Sequence, residues 1–142
     1  MSILIDTPVW SLALRRAAAD LHARERRVVD AWGEIVRSGD AVLIGPVRQE
    51  LLSGIRGRKT FRLLADRLAD FPDLAIDGVD YIQAATFFNH CGASGVTGSA
   101  IDLLICAVAH RHEARILTVD SDFIRYAKHL PILLIGPDDI GA

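Results

Sequence analysis

Cysteine, aromatic residues and an excess of positive charge are all scarce in this 142-residue chain. Its two cysteines, Cys91 and Cys106, sit in apolar surroundings without a CxxC spacing. That pattern reads as two buried thiols in a reducing compartment, with a disulfide between them as the less natural alternative. Aromatics make up 6% of the chain, and its arginine-rich stretches lack the aromatic interleaving of a base-stacking platform. The formal net charge of -2 and the pI near 6.2 exclude a protein that coats nucleic acid by bulk attraction, so any such contact must be local. No run approaches the roughly 18 apolar residues of a membrane span. The N-terminal MSILIDTPVW has no basic region followed by a long apolar one, so a cytoplasmic location without membrane attachment is expected.

What is present suits a folded domain. Hydrophobic residues make up 51% and charged residues 24%, which indicates neither disorder nor a coiled coil. The length fits a single domain over 1–142 that buries its core without disulfides or a structural metal. Ser2 to Ile5 forms a short apolar run halted by Asp6-Thr7-Pro8, the pattern of a buried strand and then a helix with Thr7 as its cap and Pro8 at its first position. Leu21 to Arg37 carries a helical stripe of Val28, Val29, Trp32, Ile35 and Val36, ended by Ser38-Gly39-Asp40. Ala41 to Ile44 reads as a strand, Gly45-Pro46 opens a helix containing Glu50, and Arg58 to Phe71 reads as a further helix. A short extended piece over Leu74 to Ile76, a helix over Tyr81 to His90, and a glycine-rich loop at 92–95 follow. After Ser99, AIDLLICAVAHRH is apolar around nearly its whole circumference, which predicts a central helix. Ile116 to Val119 and Ile132 to Ile135 are the last strands predicted. Alternating strands and helices imply an α/β fold with a parallel sheet covered on both faces.

Four acids stand out against this frame. In open α/β sheets the functional crevice lies beyond the carboxyl ends of the strands, and Asp6 and Asp120 each directly follow a predicted strand. Asp102 is the single charge in the first ten residues of the central helix, and Glu50 lies on the helix after the second strand. Each also has a plain structural reading. Asp6 can start a helix, Ser99-x-x-Asp102 matches a capping box, Asp120-Ser121-Asp122 can be a turn, and a helical glutamate ordinarily faces solvent. The apolar neighbours of Asp102 favour a function, because a buried carboxylate without a partner is costly. Two such charges about 4 Å apart repel by roughly 4 kcal/mol at an effective dielectric near 20, and no lysine or arginine adjoins Asp6, Asp102 or Asp120 in sequence. An all-oxygen set of this kind favours Mg²⁺ or Mn²⁺ and the hydrolysis of a phosphodiester. Asp122 is placed as an auxiliary or helix-capping group.

The pieces ILIDTPVW around Asp6, GPVRQELLSGIR around Glu50 and AIDLLICAVAHRHEARILTVDSDF around Asp102 and Asp120 follow one another in an order and spacing that resembles the PIN-domain ribonucleases, most closely the VapC-type toxins of bacterial toxin–antitoxin pairs. The resemblance spans nearly the whole chain. It implies a PIN-like α/β/α sandwich in which Asp6, Glu50, Asp102 and Asp120 bind one or two Mg²⁺ or Mn²⁺ ions and a water attacks RNA. It further implies a role for the Thr7 hydroxyl in orienting a ligand or water, a homodimer, and a small cognate antitoxin that blocks the site. Helix capping is the equal alternative for Thr7.

Arg56, Arg58 and Lys59, with Arg62, directly follow the Glu50 helix and are candidate contacts for RNA phosphates, against the plainer reading of a solvated face. The same holds for Arg15, Arg16, Arg24, Arg26 and Arg27. His110 and His112 suit the end of the central helix, where the helix dipole favours positive charge. Trp10 and Trp32 read as core or dimer-contact residues. Two other functions compete: a receiver-like signalling domain, which also gathers aspartates around Mg²⁺ but wants paired acids after its first strand, and a non-catalytic binding module on the same fold.

Overall fold

A computed structural model describes residues 1–139, so the last three residues of the expected 1–142 domain lie outside the described residues. Among these residues four short strands, β1 (Ile3–Ile5), β2 (Ala41–Val42), β3 (Arg115–Leu117) and β4 (Leu134–Ile135), pair in the order β2-β1-β3-β4, all parallel. Ile3, Leu4 and Ile5 are all buried although successive strand side chains point to opposite faces, so helices cover both sides of the sheet. The expected α/β fold with a central parallel sheet is the one observed.

Among the described residues seven α-helices connect the strands: α1 (Thr7–Leu14), α2 (Ala23–Ser38), α3 (Gly45–Leu52), α4 (Arg58–Leu68), α5 (Gly78–Ala93), α6 (Ala100–Arg111) and α7 (Asp122–Ala127). Leu103 through Ala109 of α6 are buried without interruption, which is why its sequence shows no polar face. The cap of α1 is Asp6 rather than Thr7, and Thr7 and Pro8 occupy its first two positions. Asp and Thr are both good caps, and Asp6 prevails because its backbone is already extended while its side chain reaches the Thr7 amide. The piece expected over 74–76 contributes only a single parallel bridge, Leu43 to Asp73, at the sheet edge beyond β2. Trp10 is fully buried, donates from Nε1 to the Ile5 carbonyl at 3.0 Å, and meets Trp32 and Phe71 edge to face, so it belongs to the core. Cys91 and Cys106 are buried free thiols.

Helix α5 starts three residues earlier than its apolar pattern suggests, because Asp77 and Asp80 form a capping box. Asp80 is 1% exposed and receives a bidentate pair from Arg111, Nε to Oδ1 at 2.7 Å and Nη2 to Oδ2 at 2.8 Å. Arg111 Nη2 also donates to the Ala75 carbonyl, so this one guanidinium ties the end of α6 to the approach to α5. Those hydrogen bonds hold the Asp80 carboxyl below the usual range although burial alone would raise it. A depressed folded-state value contributes stability above pH 4 that is lost as the pH falls through that lower value. Asp80→Ala is therefore expected to lower the melting temperature at pH 7 by about 6 °C and to flatten the acid limb below pH 4. An unchanged acid limb in calorimetry would count against this.

Candidate metal centre

Strands β1 and β3 are neighbours and parallel, so the residues after them leave the sheet at one edge. Asp6 follows β1 directly and its amide donates to the Leu117 carbonyl at 3.0 Å, which extends the pairing by one step. Its side chain is buried, 4% exposed. Oδ1 accepts from the Thr7 amide at 2.8 Å, and Oδ2 accepts from the Thr118 hydroxyl at 2.9 Å. Asp6 thus caps a helix and faces the β3 side at once, so its plain and functional readings coexist.

β3 stops at Leu117 because Thr118 turns inward. Its oxygen accepts from the Asp120 amide at 3.0 Å while its hydroxyl donates to Asp6. Asp120 Oδ1 in turn accepts from the Asp122 amide at 2.9 Å, closing an Asx turn that leads into α7. Ser99 Oγ caps α6 by accepting from the Asp102 amide at 3.0 Å. The Asp102 carboxylate does not reach back to complete a capping box. Its Oδ2 accepts instead from the Tyr126 hydroxyl at 2.9 Å.

These contacts bring carboxylate oxygens of Asp102, Asp120 and Asp122 within 4.8 Å of one another. At that spacing each pair of charges repels by roughly 3 kcal/mol at an effective dielectric near 20. Asp122 is ion-paired with Arg125 one turn along α7, whereas among the described residues no ion pair reaches Asp6, Asp102 or Asp120. Burial pushes the Asp6 carboxyl up to about 6, with the charges of Asp102 and Asp120 adding to the rise and the Thr118 and Thr7 hydrogen bonds opposing it. Asp102 is raised as well, first by burial and then by Asp120 and Asp122, against the hydrogen bonds of Tyr126 and Ser99. Clustered carboxylates of this kind, short of cations and offering only oxygen, fit a hard divalent cation of the Mg²⁺ or Mn²⁺ type.

Glu50 stands outside that triad. It is exposed on α3 and linked to Asp6 through Thr7, whose hydroxyl donates to Glu50 Oε2 at 3.2 Å. Asp122, given an auxiliary or helix-capping place on sequence, falls in the group with Asp102 and Asp120, and Glu50 does not. Arg56 lies in the exposed loop between α3 and α4, and Arg58 and Lys59 open α4 on its exposed side. Two residues passed over in the sequence prove central to the geometry. Thr118 bridges Asp6 to Asp120, and a threonine two residues before a strand-end aspartate was the available signal. Tyr126 has its hydroxyl on Asp102, and its place one helical turn after Asp122 was the corresponding one. Because the Thr118 hydrogen bond holds the Asp6 carboxyl down, Thr118→Val is expected to move its titration upward from about 6. Carbon-13 NMR of the labelled carboxyl measures this, and an unshifted midpoint would contradict the bridge.

Comparison with known proteins agrees in fold and sequence. The PIN domain family model matches residues 3–129. VapC ribonuclease Mb1587 from Mycobacterium bovis is 31% identical over 123 residues, covering 85% of this chain and 88% of that protein. Ribonuclease VapC11 from Mycobacterium tuberculosis matches to the same extent. Among solved structures, FitAcB from Neisseria gonorrhoeae superposes with a TM-score of 0.71 at 22% identity, covering 97% of this chain and 99% of that one. FitAB bound to an IR36 DNA fragment gives 0.70 at 22% identity, over 95% and 94%.

Proposed function

The chain belongs to the PIN-domain family, and from that premise we propose that it is a divalent-metal-dependent endoribonuclease, the toxin of a toxin–antitoxin pair, built as one nuclease domain over 1–142. The observation that carries this reading is the set of three carboxylates within 4.8 Å beside a buried fourth, Asp6. The receiver-like alternative falls with the family assignment.

In this reading Asp6, Asp102 and Asp120 hold Mg²⁺ or Mn²⁺, Asp122 joins them from the start of α7, and Glu50 completes the set from α3. When bound, the ion supplies Lewis-acid polarisation of an RNA phosphate and acidifies a water. The protein's own part is preorganisation. Thr118 and the Thr7 amide fix both Asp6 oxygens, and the Asx turn fixes Asp120. Thr7 steers Glu50 toward the same edge. Arg56, Arg58 and Lys59 are free to meet the RNA backbone beyond α3, which supplies attraction that the overall charge of -2 does not.

The partners are an RNA substrate, a small antitoxin and a second copy of the chain, in the cytoplasm, where the thiols stay reduced. Among the described residues no helix is long and apolar enough to cross a membrane. The dimer face is proposed on α5 and α6. Tyr81, Ile82, Phe88 and Ile101 are exposed there, and a groove of about 540 Å³ runs between α3, α5 and α6. Exposed large apolar side chains on and beside such a groove support an association site there. Ile82, 70% exposed, has little to do in the monomer, so Ile82→Glu is expected to leave the fold intact and shift sedimentation from dimer to monomer. A dimer undisturbed by that change would move the interface elsewhere.

Expression of the chain in a bacterial host tests the toxin assignment. Growth arrest that Asp6→Asn abolishes, and that a small co-expressed protein from the neighbouring reading frame relieves, is expected. Harmless expression would favour a non-catalytic module.

A further inference from the structure

Tyr126 is 1% exposed, and its ring meets Phe123 edge to face at 5.2 Å. A tyrosine buried this deeply needs a partner for its hydroxyl, and that partner is Asp102 Oδ2 at 2.9 Å, across 24 residues of sequence. Burial, and after it the hydrogen bond and charge of Asp102, push the phenol far above its ordinary value, so its oxygen stays a donor. The ring is also held from behind. A Cβ added at Gly98 would lie 2.2 Å from Leu103 Cδ2 and 3.1 Å from both Cε1 and the hydroxyl of Tyr126, so the backbone at 98 packs directly against this contact. Asp122 and Tyr126 stand four residues apart on α7 and therefore on one face. The helix that presents Asp122 to Asp102 thus also carries the hydroxyl that fixes the Asp102 carboxylate.

We infer that Tyr126 is a positioning residue that orients Asp102 toward Asp120 and Asp122 for divalent-cation binding, an inference that rests on the metal-site reading above. It locks one carboxylate oxygen, so that the carboxylate meets its neighbours in a single orientation rather than sampling several. Partners of this kind, one step behind a metal ligand, contribute ten- to hundredfold in affinity.

Mn²⁺ titration without RNA, followed through the electron paramagnetic resonance of free Mn²⁺, tests this on the full chain. Tyr126→Phe keeps the ring and removes only the hydroxyl. It is expected to weaken Mn²⁺ binding by about ten- to hundredfold, to leave metal-free melting nearly unchanged, and to recover RNA cleavage as Mn²⁺ is raised. Equal Mn²⁺ affinity of Tyr126→Phe and the parent chain would overturn the inference while leaving the nuclease reading in place. Weakened Mn²⁺ binding accompanied by a clear fall in metal-free melting would also overturn it, assigning Tyr126 to general packing. A parent chain that binds no Mn²⁺ at millimolar concentration would overturn the inference and the metal-site reading together.

Discussion

Asp6→Asn is expected to lower metal-dependent RNA cleavage by about a thousandfold, equivalent to roughly 4 kcal/mol, and at the same time to make the metal-free protein more stable at neutral pH. Both effects come from one carboxylate. Asp6 is buried at the end of β1, and its folded-state pKa of about 6 lies well above the 3.8 of an ordinary aspartate. Folding therefore favours the protonated form. The stability from this group is full below about pH 4 and is lost as the pH rises through about 6. Above that pH the ionised carboxylate costs about 3 kcal/mol. Asparagine removes that cost but cannot accept from both Thr7 and Thr118, and the lost hydrogen bond takes back about 1 kcal/mol. A net gain of about 2 kcal/mol corresponds to a melting temperature some 6 °C higher at pH 7.5, with no gain at pH 4. Loss of activity through general destabilisation would move the melting temperature the other way, so calorimetry at the two pH values separates the explanations.

Saturation with Mn²⁺ is expected to raise the melting temperature of the parent chain by about 8 °C. A ligand at a hundred times its dissociation constant stabilises the state that binds it by about 2.7 kcal/mol, and the unfolded chain does not assemble acids as distant as Asp6 and Asp120. The rise should nearly vanish in Asp102→Asn and in Asp120→Asn, because each removes one member of the triad. It should also shrink as the pH falls through about 6, since Asp6 must lose its proton before it can serve as a ligand. Ca²⁺ or Na⁺ alone giving the same rise would point to nonspecific relief of charge repulsion.

How far this site could be read from sequence varies residue by residue. Asp6 and Asp120 were legible because a strand broken by an acid marks the carboxyl edge of a parallel sheet. Asp102 was legible because a lone charge in an apolar helix has a desolvation cost to explain. Glu50 was reached through resemblance alone, and its exposed place on α3 accounts for that: a surface glutamate carries no physical signature of its partner. The nearness of Asp122 to Asp102 and Asp120 is not visible in sequence, because it depends on how tightly the turn after β3 closes, and the Asp120–Asp122 hydrogen bond decides that. Thr118 and Tyr126 left only weak signals, a threonine two residues before Asp120 and a tyrosine one turn after Asp122. Threonine is an ordinary strand residue, and the Tyr126–Asp102 contact depends on how α7 packs against α6. The Asp80–Arg111 pair escaped for the same reason, its partners being 31 residues apart. The strands were placed correctly but run shorter than their apolar stretches, since Thr118 leaves β3 to link the Asp6 carboxylate to the Asp120 amide and only a bridge at Leu43 continues β2.

The central claim is that the carboxylates at the ends of β1 and β3 assemble a divalent-metal site that cuts RNA. Incubation of the purified chain with a mixed RNA substrate, with Mg²⁺ or Mn²⁺ and in parallel with EDTA, is its most direct test. Defined internal cleavage that requires the metal and is absent in Asp102→Asn is the expected result. RNA left intact under every metal condition, or cut equally well in EDTA, would contradict the account.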